Sequence, residues 1–190
     1  MLVVVVIIGI VIAGTLLSLG AIGHDGQLQQ ERDRLTALIS YVRDRGAMMT
    51  LEYGIRCGQH GYRFVYYDNR TLQWLPETLD DTLRARKLPS GLNLRLVIEG
   101  RDIVLNDNAL QFDATAVAAA TAAPAPSALG APPPLADQAA DNAPQIMLLS
   151  NGDTNAFMLT IERSSANRSV TVQSAGDGTI QSGEIVEAPQ

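Results

Sequence analysis

Residues 1–23 read MLVVVVIIGIVIAGTLLSLGAIG, and this stretch contains no charged side chain. At about 1.5 Å per residue, a helix of this length reaches roughly 33 Å, enough to cross the hydrocarbon core of a bilayer, which is about 30 Å thick. A cleaved secretory signal would instead have a basic start, an apolar stretch of about 7 to 15 residues and a small-residue cleavage site. The stretch therefore predicts a transmembrane helix that anchors the chain.

Charge and cysteine content limit what the rest of the chain can be. The protein has 190 residues, 18% of them charged, and a net charge of -6. Once the membrane segment is set aside, the remaining length fits one modest domain. Because the net charge is negative, no basic surface field is available to attract nucleic acid. Cys57 is the single cysteine, so no intrachain disulfide is possible and packing must hold the fold together.

Residues 24–54 continue the helix with an amphipathic pattern. Charged residues such as Glu31 and Arg45 lie largely off the apolar stripe, as expected for a helix laid on a sheet. Gly54 supplies a C-terminal stop, and no proline precedes Pro76, so the two helical stretches are expected to form one rod of about 50 residues, near 75 Å long. The stripe consists of Leu28, Leu35, Leu38, Ile39, Val42, Met49 and Tyr53.

Residues 55–190 carry the signals of β-structure. Aromatic and β-branched runs, alternating apolar residues and Asn-Gly or Gly-Asp turns predict hairpins of one antiparallel sheet. The strand-forming runs are 62–67, 71–74, 92–98, 103–105, 146–149, 157–161 and 170–180. The Ala/Pro-rich stretch 114–143 is predicted to be a mobile insertion between strands of that sheet, the alternative being a linker between two domains. The predicted fold class is α+β, a long N-terminal helix packed on an antiparallel sheet.

Candidates for chemistry are few. Cys57 and His60 are spaced as two metal ligands, but a closed zinc site needs four, so a buried thiol beside an exposed loop histidine explains them better. Asp80-Asp81 and Asn106-Asp107-Asn108 offer oxygen atoms to calcium without the spacing of a dedicated loop, and solvated turns account for both. We predict no catalytic residue, metal ligand or cofactor.

Two pairs of small residues in the apolar stretch are spaced four apart, Gly9 with Ala13 and Gly14 with Ser18. Such pairs allow another helix to approach closely in lipid, although they are also common in ordinary transmembrane helices. Both interpretations remain open at this point.

The run from Met1 to Ile10 resembles the hydrophobic segment of type IV pilins and of type II secretion pseudopilins. Downstream stretches look like the H-type minor pseudopilins (general secretion pathway protein H). These stretches are Leu51-Glu-Tyr-Gly54-Ile, Gly61-Tyr-Arg-Phe64, Trp74, Leu88-Pro-Ser-Gly91, residues 144–153 and Phe157-Met-Leu-Thr-Ile161. The resemblance covers nearly the whole chain except the Ala/Pro-rich insertion.

The resemblance implies a structural role without a cofactor. The subunit would start as a single-pass protein of the bacterial inner membrane, with its C-terminal domain in the periplasm, and be drawn into a short pseudopilus near the tip. Its implied partners are the other pseudopilins, the inner-membrane assembly platform and the lipid bilayer. Helix packing in the filament would involve Met1, Val4, Ile8, Gly9, Ala13, Gly14 and Ser18.

The sequence as given lacks the family's basic leader, its cleavage-site glycine, the methylated phenylalanine and the assembly glutamate, which would precede Met1. Either the start of the sequence is placed too late or the chain is trimmed, and a short basic leader ending in Gly-Phe-Thr-Leu-Ile-Glu, in frame directly upstream, would settle the superfamily. Three other functions remain as alternatives: a minor type IV pilin in pilus assembly or DNA uptake, a membrane-anchored periplasmic hydrolase using His60, and a generic anchored binding domain.

Overall fold

The computed structural model describes residues 2–107, 142–175 and 177–187, with side chains from residue 25 onward. Helix α1 (Leu2–Met49) runs for 48 residues, which corresponds to about 72 Å. The two helical stretches therefore form one rod. Where side chains are described, no helix is long and apolar enough to cross a membrane; the predicted membrane segment, 1–23, lies outside those residues.

The helix ends at Met49, so the predicted stop at Gly54 is wrong. The Leu51 amide donates to the Gly46 carbonyl at 3.1 Å, and Thr50 between them has a φ of 54°. This is the 6→1 hydrogen bond with a left-handed residue that closes many helices. Tyr53 and Gly54 then belong to the first strand, because the reversal at Thr50 brings them between two partner strands.

The described strands form two antiparallel sheets, and the prediction of a single sheet is wrong. The first sheet contains β1 (Tyr53–Gly58), β2 (Gly61–Asp68), β3 (Gln73–Pro76), β4 (Arg86–Lys87) and β7 (Ile146–Leu148). The second contains β5 (Asn93–Ile98), β6 (Arg101–Ile103), β8 (Phe157–Arg163), β9 (Arg168–Ser174), β10 (Ile180–Ser182) and β11 (Val186–Glu187). Alternating apolar residues indicate which face of a strand is buried but not which strand it pairs with, so the pattern did not separate the sheets.

The order of strands shows where the Ala/Pro-rich insertion sits. The first sheet runs β3-β2-β1-β7 with β4 beside β2, and the second runs β10-β9-β8-β5-β6 with β11 beside β9. Among the described strands, β6 is the last before the insertion and β7 the first after it, and the two belong to different sheets. The prediction of an insertion between strands of one sheet is therefore wrong. Most of the segment predicted to be mobile, 114–143, lies outside the described residues.

One apolar core lies between α1 and the two sheets. The helix contacts β8, β9 and β10 of the second sheet and β1 and β7 of the first. The buried apolar side chains of the described part of the helix are Leu28, Leu35, Leu38, Ile39 and Val42. Met49 was predicted to join them but is 55% exposed, because it is the last helical residue before the chain turns away at Thr50.

Candidate functional site: the junction between helix and sheets

The junction rests first on the apolar stripe of the helix. Leu35, Ile39 and Val42 are completely buried and belong to the same core cluster as Val170 and Val172 of β9. Each fully buried aliphatic side chain contributes about 1.5 to 3 kcal/mol relative to an exposed one. This stripe fixes the helix against the second sheet.

On one side of the stripe, two arginines of the helix reach backbone carbonyls in loops. Arg32 Nη1 donates to the Gly183 carbonyl at 2.9 Å, and Arg43 Nη2 donates to the Gly152 carbonyl at 3.0 Å. Arg43 enters a crowded place, because a Cβ at Gly178 would lie 2.8 Å from its Nη2 and 2.1 Å from the Gly152 oxygen. The two contacts hold the helix along one edge at points about 16 Å apart on its axis.

On the opposite side, Tyr41, Arg45 and Asp80 form a polar cluster. The Tyr41 hydroxyl donates to Asp80 Oδ2 at 2.7 Å, and Arg45 Nη1 donates to the same oxygen at 2.8 Å. Asp80 also accepts the Thr82 amide and so caps the short 3₁₀ turn Asp81–Leu83. The Tyr41 hydroxyl, then the Thr82 amide and Arg45, hold the pKa of Asp80 below its usual value. Asp80 is thus a structural anchor rather than the solvated turn residue that the sequence suggested.

Arg45 extends this cluster toward the first sheet. Its Nε donates to the Tyr53 hydroxyl at 3.1 Å, and that hydroxyl lies 3.4 Å from Glu77 Oε2. Burial raises the pKa of Tyr53, with Arg45 opposing the shift. The neutral phenol therefore links the helix to β1 and to the residues after β3.

A buried carboxylate makes a further connection. Glu31 is only 4% exposed, and Arg86 Nη2 lies 3.1 Å from its Oε1. Glu31 was predicted to lie off the buried stripe, and that placement is wrong. A carboxylate this close to the core requires a charged partner, because its desolvation is costly, and β4 supplies that partner.

The residues considered for chemistry do not converge. Cys57 is fully buried, and burial raises the pKa of its thiol to about 12. His60 is exposed, and its Nδ1 lies 2.6 Å from Asp107 Oδ2. That contact holds the pKa of Asp107 below its usual value. Over the part of the chain that the structure describes, no group of three or more His, Cys, Asp or Glu residues is placed to hold a metal ion.

The predicted helix-packing residues cannot be tested in the same way. Met1, Val4, Ile8, Gly9, Ala13, Gly14 and Ser18 lie outside the residues whose side chains are described. The junction was instead missed by sequence reasoning. Its arginines alternate with acids along the helix, and nothing in that order shows which of them meets a partner more than 30 positions away.

The junction fixes the direction of helix α1 relative to the β-domain. Contacts on both flanks and an apolar stripe between them resist rocking and rotation of the helix. The arrangement is a structural coupling between the helix and the two sheets.

The chain is similar to known proteins in sequence and in fold. No protein-family model matches the chain. Type II secretion system protein H of Pseudomonas aeruginosa is 26% identical over 177 residues, which are 93% of this chain and 87% of that protein.

Solved structures share the fold at low sequence identity. Two structures of the minor pseudopilin EpsH from the Vibrio cholerae type II secretion system are 15% identical, with TM-scores of 0.59 and 0.54. They cover 87% and 82% of this chain, over 99% and 95% of their own. The solution structure of Escherichia coli GspH has a TM-score of 0.54 at 15% identity and covers 85% of this chain and 90% of its own. The sequence relative and the shared fold confirm the resemblance inferred from the sequence: the chain is similar in sequence to a type II secretion system protein H and has the fold of the solved minor pseudopilins.

Proposed function

We propose that this protein is a structural minor pseudopilin of a type II secretion pseudopilus, required for the export of folded proteins across the outer membrane. The observation that carries the proposal is the rigid junction between an unbroken 48-residue helix and a two-sheet domain. A filament built by stacking helices needs each outer domain to point in a defined direction, and the flanking contacts of α1 supply that. The similarity to protein H of Pseudomonas aeruginosa supports the same role.

In this proposal the helix has two successive tasks. Residues 1–23 hold the subunit in the inner membrane as a single span, with the β-domain in the periplasm. On assembly the same residues pack against other pseudopilins, where the notches at Gly9, Ala13, Gly14 and Ser18 let neighbouring helices come close. The assembly platform of the inner membrane and the other major and minor pseudopilins are the partners, and nucleic acid is not one of them.

A segment exchange tests the proposal. Replacing residues 1–23 with an unrelated transmembrane helix of equal length should preserve membrane insertion but abolish secretion and co-purification with other pseudopilins. Arg95→Gln, which removes an exposed ion pair with Asp102, is the matched control and should secrete normally. Full secretion by the exchanged chain would favour a generic anchored domain, and membrane extracts of the wild type that yield no other pseudopilin would contradict the proposal.

The structural role also sets an expectation for catalysis. His60→Ala should leave secretion unchanged, because among the described side chains the His60 ring forms a hydrogen bond only with Asp107. An anchored hydrolase that used His60 would lose its turnover in this variant.

A further inference from the structure

The turn that follows β7, residues 149–153, holds the one Asn-Gly sequence of the chain, Asn151-Gly152. We call it the Asn-Gly turn. In such a sequence the backbone nitrogen of the glycine can attack Cγ of the asparagine, because glycine has no Cβ to obstruct the approach. Asn151 is exposed, so water reaches it and ammonia can leave. The turn therefore carries the atoms needed for modification of an asparagine without an enzyme.

Hydrogen bonds within the turn keep these atoms from reacting. The Gly152 amide donates to the Leu149 carbonyl at 2.9 Å, so the attacking nitrogen is held with its proton. The Asp153 amide donates to Asn151 Oδ1 at 2.9 Å, and Asn151 Nδ2 donates to Asp153 Oδ2 at 2.7 Å, so the carboxamide is fixed as well. The turn must open before Asn151 can react.

Residues of α1 and of the segment after it hold the turn closed. Arg43 Nη2 donates to the Gly152 carbonyl at 3.0 Å. Glu52 accepts the Ser150 amide at 2.9 Å and the Ser150 hydroxyl at 2.8 Å. Gly178 lies against a third side of the turn, where an added Cβ would be 2.1 Å from the Gly152 oxygen. Opening of the turn therefore requires that contacts with the helix break.

We propose that Asn151 is a site of spontaneous deamidation that the packed helix α1 keeps unreactive, and that its conversion to isoaspartate uncouples Arg43 from the turn. A bond forms between the Gly152 nitrogen and Asn151 Cγ, the Cγ–Nδ2 bond breaks, and ammonia leaves with the proton of the Gly152 amide. Water then opens the succinimide ring at one of its two carbonyl carbons. Opening at one carbon gives aspartate, and opening at the other gives isoaspartate.

The two products differ in their effect on the junction. In isoaspartate the main chain runs through Cβ and Cγ and is longer by one carbon–carbon bond, about 1.5 Å. A displacement of this size would take the Gly152 carbonyl from 3.0 Å to beyond hydrogen-bond distance of Arg43. Aspartate leaves the main chain unchanged, so the contact is kept. Neither step depends on the proposed function.

The first test measures the rate of deamidation at Asn151 in the full chain in detergent, in mildly alkaline buffer. Mass spectrometry of the peptide that contains Asn151 follows the reaction, and electron-transfer fragmentation distinguishes isoaspartate from aspartate. The chain unfolded in urea should react about 10- to 100-fold faster than the folded chain, because each hydrogen bond that must open slows the reaction by up to about tenfold. Folded Arg43→Gln should react about three- to tenfold faster than folded wild type.

Arg32→Gln is the matched control for this rate. It removes the equivalent contact of α1 with the Gly183 carbonyl but leaves the Asn-Gly turn intact, so Asn151 should react as in wild type. If Arg32→Gln accelerates the reaction as much as Arg43→Gln, general loss of stability sets the rate and the inference is wrong. Equal rates in the folded and unfolded chains would also overturn it. Where Arg43→Gln does not fold, Arg43→Lys, which keeps the charge but not the forked donors, takes its place.

The second test uses thermal unfolding of the isoaspartate form, separated from the aged chain by ion exchange. Arg43→Gln should lower the Tm of wild type and of Asn151→Asp, which has the added charge but a normal main chain. The same substitution should leave the Tm of the isoaspartate form unchanged, because a contact that is already lost cannot be lost again. A further fall of Tm in that form, or its failure to fold, would contradict the selective uncoupling of Arg43.

Discussion

Gly54 is the position where one added methyl group tests the packing of the first sheet most directly. A Cβ built there lies 2.3 Å from Pro144 Cγ, 2.4 Å from Pro144 Cβ and 3.0 Å from the Ile146 carbonyl oxygen. Carbon atoms pack at roughly 3.5 to 4.0 Å, so Pro144 would have to move by more than about 1 Å. Pro144 is buried and precedes β7, which pairs with β1 at Gly54, so the displacement strains the sheet.

The magnitude of the effect follows from two opposing contributions. Overpacking of this kind costs about 1 to 3 kcal/mol, and the reduced freedom of the unfolded chain returns about 0.5 to 1 kcal/mol. Because the contact of 2.3 Å with Pro144 is severe, the cost should lie at about 2 to 3 kcal/mol, and we expect Gly54→Ala to lower the free energy of unfolding by about 1 to 2.5 kcal/mol. For a domain of this size that corresponds to a fall in Tm of about 2 to 10 °C.

Thermal and urea unfolding of the full chain in detergent, followed by circular dichroism, measures this change. Gly26→Ala is the matched control, because a Cβ at Gly26 meets nothing within 4 Å and alanine favours a helix by about 1 kcal/mol; its Tm should rise. Adding Pro144→Ala to Gly54→Ala should recover part of the loss, since the two sites are in contact. Wild-type stability of Gly54→Ala, or no coupling to Pro144, would refute the argument.

Three further predictions concern the junction, the end of the helix and the first sheet. Hydrogen bonds lower the pKa of Asp80 in the folded protein, so its stabilising contribution should be complete above the ordinary aspartate pKa and disappear as pH falls through the lowered value. The free energies of unfolding of wild type and Asp80→Asn should therefore differ at neutral pH and converge in acid. A difference that does not change with pH would contradict this prediction. Thr50→Gly should raise the free energy of unfolding by about 0.5 to 1 kcal/mol, because a β-branched residue at a φ of 54° is strained. A loss of stability in urea unfolding would instead show that the Thr50 side chain itself is needed. The buried Tyr62 hydroxyl has no hydrogen-bond partner among the described groups, so Tyr62→Phe should be neutral or stabilising by up to about 1 kcal/mol in the same assay, and a loss above that size would reveal a partner for the hydroxyl.

The junction ties the β-domain to the long helix α1. Its contacts are spread over both flanks of α1 rather than concentrated in one site. Loss of a single contact such as Tyr41 with Asp80 should therefore loosen the orientation of the β-domain before it unfolds the protein.

The positions of the helix and of several strands were determined by local residue patterns in the sequence. The long apolar run and the stripe that follows it gave one continuous helix, because helical periodicity depends on residues three and four positions apart. The strand positions near 62–67, 92–98 and 157–161 followed from alternation and turn residues in the same way. The resemblance to H-type pseudopilins depended on such local stretches, and it was confirmed.

Pairings across the fold were decided only by the tertiary structure. Glu31 contacts Arg86 and Gly54 contacts Pro144, and the residues of each pair are 55 or more positions apart. The separation into two sheets depends on such distant pairings as well. The end of the helix was mistaken for the same reason, since Gly54 was judged by its chain neighbours although its small size is required by Pro144. Local patterns specify which residues are buried, but the choice of partner depends on how the whole chain packs, and that information is not contained in any one segment.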